Sequence, residues 1–195
     1  MDGETTRQKW DRIYRDWKGP LPGAATVLSE NEHLLPASGR ALDLACGLGG
    51  NAMFLARRGF EVDAIDISEV GIEALNSVAR AEALPVDTRV ADVMERQWSA
   101  QGYDVIVVAR FLERALAQDI ADALKPGGLL FYQTFVESKP CVSGPGNPRF
   151  LLRDNELIRL FDRLLIRYYR DEALTGKPEA GQRDEAFLIA QRPHS

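Results

Sequence analysis

The chain has 195 residues, 45% hydrophobic and 27% charged, which is ordinary for one globular domain and excludes a wholly disordered chain. The 24 basic residues against 29 acidic ones give a net charge of −5, which argues against a general nucleic-acid binder. Apolar runs of five to seven residues, as at 105–109, fall well short of the ~20 that span a bilayer.

The opening MDGETTRQKWDRIYRDW is polar and charged, unlike a secretory signal. Together with only two cysteines, Cys46 and Cys141, it leads us to expect a reduced, cytoplasmic protein with no disulfide framework and no metal site. Trp10, Ile13, Tyr14 and Trp17 recur at helical spacing and predict a first helix, ended by Gly19-Pro20. A second helix is expected over 24–34, closed by Pro36. The apolar run ALDLAC (41–46) reads as a strand entering Gly47-Leu48-Gly49-Gly50, with a helix over 51–58.

Strand and helix then alternate. Strands are expected at 60–66, 86–90, 103–109 and 128–136, helices at 69–82 and 113–124, and a turn at Lys125-Pro126-Gly127-Gly128. Ser68 is placed to cap the 69–82 helix. This alternation calls for a parallel sheet covered by helices on both faces. The segment 137–149 is a Pro/Gly-rich loop, followed by a helix at 154–161. Strands at 164–169 and 185–191 have no helix between them, so they should form an antiparallel hairpin at the sheet edge. The whole chain is expected to be a single domain, with residues 1–36 a helical lid and 137–153 a substrate-side loop.

The chemically informative segment is Asp43-Leu44-Ala45-Cys46-Gly47-Leu48-Gly49-Gly50. A strand end, a glycine turn and a helix start make a cradle for a nucleotide-type ligand. Asp66 ends the next strand, 23 residues after Asp43, where an acid can accept both hydroxyls of a ribose. The dinucleotide pattern is formally met by Gly47, Gly49 and Ala52, so a nicotinamide-dependent oxidoreductase is an alternative. Asp43 weighs against it, because a carboxylate there repels a pyrophosphate and favours a cationic ligand.

These residues, with FEVDAID ending at Asp66 and Lys125-Pro126-Gly127-Gly128, resemble a class I S-adenosylmethionine-dependent methyltransferase. The stretch LARRGFEVDAID and the opening WDRIY are similar to small tellurite-resistance and thiopurine-type methyltransferases. The resemblance implies a Rossmann-like, seven-stranded doubly wound sheet, mostly parallel with an antiparallel edge hairpin. It implies S-adenosylmethionine as cofactor and a small-molecule acceptor, in a monomer or weak dimer without nucleic-acid or membrane partners. The family's usual motif has glycine where Ala45 stands here, which narrows the methionine end of the pocket.

By that resemblance Asp43, Ala45, Cys46, Gly47, Gly49 and Asn51 hold the methionine part. Asp66 binds the ribose and Ile67 packs on adenine. Ala91, Asp92 and Val93 follow the third strand near the adenine, although Asp92 can equally be a turn cap. Ala109 and Arg110 end the fourth strand beside the sulfonium. Trp10 and Tyr14 are candidates for a lid over the cation, or else ordinary core packing.

Neither His33 nor His194 is well placed as a base. An easily ionised acceptor therefore fits best: a thiol, a selenol or a chalcogen oxyanion. Arg110 and Tyr14 are the candidates for a catalytic role. Arg149, Arg153 and Tyr132 are the candidates for the substrate side, with Arg110 able to hold an anion. A non-catalytic cofactor-binding module is the remaining alternative.

Overall fold

The computed structural model describes residues 4–141 and 143–194. The first three residues of the expected lid segment, Val142 of the expected loop, and Ser195 lie outside the described residues. The strands are β1 (Gly39–Leu44), β2 (Phe60–Asp66), β3 (Val86–Val90), β4 (Tyr103–Ala109), β5 (Leu124–Phe135), β6 (Leu165–Arg170) and β7 (Glu185–Gln191). They form one seven-stranded sheet in the order β3-β2-β1-β4-β5-β7-β6. All pairs are parallel except β5–β7 and β6–β7. The expected edge hairpin is present, with β7 paired to β5 and β6 outermost.

The helices are α1 (Thr6–Asp16), α2 (Thr26–Ser29), α3 (Gly50–Ala56), α4 (Glu69–Ala81), α5 (Ala117–Ala123) and α6 (Glu156–Leu160). Alternation along the central strands sorts their side chains into two apolar layers. Ile106 and Val108 face Ile120 of α5 and Leu157 of α6. Val105 and Val107 face the layer built by α2, α3 and α4, including Val27, Leu55 and Leu75.

Three expectations are corrected. The single helix over 24–34 is one turn of α2 followed by a 3-10 turn at Glu32–Leu34. Asn31 causes the break: its side-chain amide donates to the Val27 carbonyl at 3.0 Å, taking the acceptor that a continuing helix would use. The helix over 113–124 likewise begins as a 3-10 turn at Arg114–Leu116. The turn at 125–128 is absorbed into β5 as an irregularity, where Tyr103 faces Leu124 but Val105 already faces Leu129.

The segment before α2 is pressed against the start of α3. A Cβ on Gly50 would lie 2.5 Å from the backbone oxygens of both Pro22 and Gly23. Gly50→Ala should therefore destabilise the protein by about 1–3 kcal/mol through overpacking, although alanine is the better helix former. Urea unfolding of the variant checks this; an unchanged or raised midpoint refutes it.

Candidate active site

The site lies at the carboxyl ends of β1, β2 and β4. The connections leave the sheet in opposite directions between β1 and β4, which opens a crevice there. Three residues of the turn after β1 have positive φ: Ala45 at 57°, Gly47 at 56° and Gly49 at 83°. The glycines adopt this conformation freely. Ala45 does not, and is held where the usual motif has glycine.

Asp43 is fully buried and accepts from the Ala52 N–H at 2.9 Å and from the Asn51 side-chain amide at 3.3 Å. Asn51 also accepts from the Ala25 N–H at 2.8 Å, so it ties the entry segment to Asp43. Asp66 accepts from the Gly47 N–H and the Ser68 N–H, each at 2.8 Å. It thereby fixes the glycine turn against the start of α4.

Burial pushes the Asp43 carboxyl up to about 7, with nearby Asp66 adding to the effect. Burial likewise raises Asp66, and it holds the Cys46 thiol well above its ordinary value. Among the described residues neither Asp43 nor Asp66 has a lysine or arginine partner in an ion pair. Two buried, unneutralised carboxylates suit a ligand carrying an ammonium or sulfonium together with hydroxyl donors. They oppose a pyrophosphate. The residues present thus fit S-adenosylmethionine and disfavour a nicotinamide dinucleotide.

α1 lies across α4, and its Asp11 accepts from the Ser68 hydroxyl at 2.6 Å and the Val70 N–H at 3.3 Å. This puts the Tyr14 ring over the turn: its hydroxyl is 2.8 Å from where a Cβ on Gly47 would stand. Trp10 stacks on Tyr14 at 5.5 Å between ring centroids. Burial, followed by the charges of Asp66, Cys46 and Asp43, raises the Tyr14 phenol well above its ordinary value. The phenol is thereby held in its neutral form.

Ala91 and Val93 are buried just past the carboxyl end of β3, and Ile67 is half-buried between Asp66 and Ser68. Asp92 caps the 3-10 turn at Val93–Glu95 by accepting from the Met94 N–H at 2.9 Å, the capping role weighed from the sequence. Ala109 and Arg110 stand at the end of β4 beside the turn. Tyr132 does not reach the crevice: it is buried against Phe161, and its hydroxyl donates to the Phe111 carbonyl at 2.9 Å. Its parity on β5 turns it into the α5/α6 layer, so it is a core residue that steadies the loop after β4.

Arg149 is exposed and paired to Glu113 at 3.2 Å, on that same loop. Arg153 has no comparable link to the site; its side chain is exposed and its backbone N–H donates to Glu156. The arginine that organises this side is Arg114, which reasoning from sequence missed. It pairs with Glu156 at 2.7 Å and donates to the carbonyls of Arg149 and Leu151. Both histidines lie at the opposite, amino edge of the sheet: His33 in the 3-10 turn before β1, and His194 against Gly127.

A family description, "Methyltransferase domain", matches residues 41–128, which run from β1 into β5. The chain is 31% identical over 139 residues to a ubiquinone biosynthesis O-methyltransferase of Coxiella burnetii, covering 65% of this chain and 59% of that protein. It is 33% identical over 107 residues to the Xanthomonas axonopodis pv. citri protein of the same name, covering 52% and 45%. The chain thus spans less than two thirds of the length of these curated relatives. Among solved structures, TehB from Haemophilus influenzae matches with a TM-score of 0.71 at 22% identity, covering 94% of this chain and 67% of that one. The geranyl diphosphate C-methyltransferase of Streptomyces coelicolor A3(2), solved with S-adenosyl-L-homocysteine, matches with a TM-score of 0.66 at 18% identity, covering 85% and 74%.

The buried carboxylate gives a pH signature. Because the folded carboxyl of Asp43 lies above its unfolded value of 3.8, its contribution to stability is full below pH 4 and is lost as pH rises toward 7. The slope is at most about 1.4 kcal/mol per pH unit. Asp43→Asn should show a shallower fall in unfolding free energy between pH 4.5 and 7 than the parent, read by urea titration without cofactor. A parallel pair of curves would remove Asp43 as the source.

The fold, the glycine turn with its two acids and the methyltransferase domain matched over residues 41–128 agree, and together they point to a class I S-adenosylmethionine-dependent methyltransferase.

Proposed function

We propose that the protein transfers a methyl group from S-adenosylmethionine to a small-molecule acceptor, most readily a soft nucleophile such as a thiol, selenol or chalcogen oxyanion. The observation that carries the cofactor half is the pair of buried acids, Asp43 and Asp66, without a cation of the chain. When bound, the cofactor supplies a methyl group already activated on a sulfonium. Asp43 and the 45–49 backbone hold the methionine part, and Asp66 accepts the ribose hydroxyls while it holds Gly47. Ile67, Ala91 and Val93 give the adenine an apolar seat.

The acceptor half rests on what surrounds the end of β4. Arg110 and the Arg149–Glu113 pair stand there, with both histidines at the far edge. Such a site positions and orients an acceptor without offering it a base near neutral pH. A thiol meets that requirement: it loses its proton to solvent, its sulfur takes the methyl carbon, and S-adenosylhomocysteine leaves. The relatives named O-methyltransferases act on oxygen, so phenols belong beside thiols in an acceptor panel. The likeness to small tellurite-resistance and thiopurine-type enzymes supports the soft-acceptor choice on the residues 55–66 and 10–14. Two free cysteines, Cys46 and Cys141, suit a reduced, cytoplasmic setting.

In this reading α1 is a lid. It has no buried residue in spite of its aromatic stripe, and Trp17 is 49% exposed. Trp10, Ile13 and Tyr14 are only half-buried and Tyr14 lies over Gly47, which supports a cover over the crevice rather than core packing. The described residues of the 137–153 segment are assigned the facing wall.

Three experiments test this. S-adenosylhomocysteine at 100 times its dissociation constant should stabilise the protein by about 2.7 kcal/mol in a thermal shift. NAD should do nothing, and stabilisation by NAD alone overturns the cofactor. Asp66→Asn keeps one acceptor oxygen for the turn and should weaken S-adenosylhomocysteine by about 1.5–3 kcal/mol in calorimetry. Turnover of labelled S-adenosylmethionine on thiols and phenols separates an enzyme from a binding module.

Deleting residues 1–18 should leave the unfolding free energy of the cofactor-free protein within about 1 kcal/mol of the parent, since partly exposed side chains contribute little. It should weaken S-adenosylhomocysteine clearly. A loss of several kcal/mol in the cofactor-free protein would mean that the stripe is core after all.

A further inference from the structure

Arg110 is the second non-glycine residue held at positive φ on this edge, at 55°. That backbone conformation is unfavourable for an L-residue, and persists where the surroundings impose it. Its N–H still continues the sheet, donating to the Gln133 carbonyl at 2.7 Å. Its side chain is 65% exposed, yet it is anchored from below: Nε donates to Glu185 Oε1 at 2.7 Å, and the Glu185 side chain is 2% exposed.

Glu185 is itself fixed. Its other oxygen accepts from the Gln133 side-chain amide, in a direct hydrogen bond. The Gln133 oxygen in turn accepts from the Val27 N–H at 2.8 Å. This caps the first turn of α2, whose own N-cap, Ala25, has no side-chain acceptor. The chain of contacts Val27–Gln133–Glu185–Arg110 thus joins α2, β5, β7 and the end of β4.

An exposed ion pair between two mobile side chains contributes little. A carboxylate this deeply buried is costly unless it is well partnered, and here both oxygens are taken. The anchoring uses only Nε. Among the described residues no hydrogen bond engages the two Nη groups of Arg110, so a planar pair of donors is left without a protein partner on a largely exposed side chain at the carboxyl end of β4. That fork matches a carboxylate or other oxyanion bidentately.

We infer that Glu185 is a positioning residue, aiming the Nη fork of Arg110 at an anionic group on the methyl acceptor. The inference rests on the methyl-transfer reading and sharpens it, since it assigns the acceptor a negative charge apart from the reacting atom. Glu185 also cancels the net charge of Arg110, so recognition depends on directed N–H donors rather than on an unshielded positive field.

The test compares two thiols of similar size, mercaptoacetate and uncharged 2-mercaptoethanol, titrated by NMR into the full chain saturated with S-adenosylhomocysteine. Mercaptoacetate should bind more tightly. Glu185→Gln should weaken it about tenfold, the loss of one hydrogen bond to a charged group, and leave 2-mercaptoethanol and S-adenosylhomocysteine unchanged. In an Arg110→Gln background the same substitution should have no further effect. In turnover assays it should raise KM for mercaptoacetate with kcat unchanged.

No preference for mercaptoacetate, equal weakening of both thiols, equal effects in both backgrounds, or tighter binding of mercaptoacetate in Glu185→Gln would each overturn the inference. If Glu185→Gln does not fold, Arg110→Lys serves, because it keeps the charge but lacks the fork; unchanged mercaptoacetate affinity there refutes the proposal. Absent turnover of either thiol with this binding pattern intact counts against the thiol acceptor and not against the role of Glu185.

Discussion

Two carboxylates at the ends of neighbouring strands are buried without a cation of their own. Asp43 and Asp66 have backbone N–H groups and one amide as partners, and these hold geometry better than they neutralise charge. The arrangement is costly in the empty protein, and burial drives both carboxyls toward the protonated form. A ligand bringing positive charge relieves that cost directly, so part of the site's selectivity is already present before any ligand surface is considered. The glycine turn, the Asn51 bridge and the entry segment at 22–25 are all tied to these two side chains.

The second tier is built over this one. Asp11 reaches the first turn of α4, where it meets unsatisfied N–H groups and the capping serine. Tyr14 is thereby lowered onto Gly47, and the close approach of Gly71 to the Gly47 carbonyl leaves no room for a larger residue beneath the ring. The glycines at 47 and 71 therefore serve the fit of one aromatic residue against the turn, in addition to the turn's own backbone.

What was legible in the sequence was local. The central strands are apolar on both faces, and the glycine turn with its flanking acids occupies one short stretch, so periodicity and spacing reveal them. Helix ends were less legible where a side chain competes with the backbone, as Asn31 does. The facing of β5 was ambiguous because both Tyr132 and Gln133 sit in an apolar run, and only the layers packed on each side decide which turns where. Asp11, Arg114 and Glu185 were missed because their partners lie 35 to 75 residues away in the chain. Glu185 did leave one trace: it is the lone charge opening the run Glu185-Ala186-Phe187-Leu188-Ile189-Ala190.

The order of the last two strands bears on how the site comes to exist. β6 precedes β7 in the chain, but its only ladder is with β7, and β7 alone pairs with β5. During synthesis β6 has nowhere to add until β7 has been made, and the flank of β5 stays unpaired for the whole interval. The hairpin must then dock as a unit, in a step whose sequence separation is large and which is correspondingly slow. Glu185 arrives only with that step. A nascent chain can thus hold the turn between β1 and α3 in place while Arg110 at the end of β4 still lacks its anchor, so the two parts of this sheet edge are completed at different times.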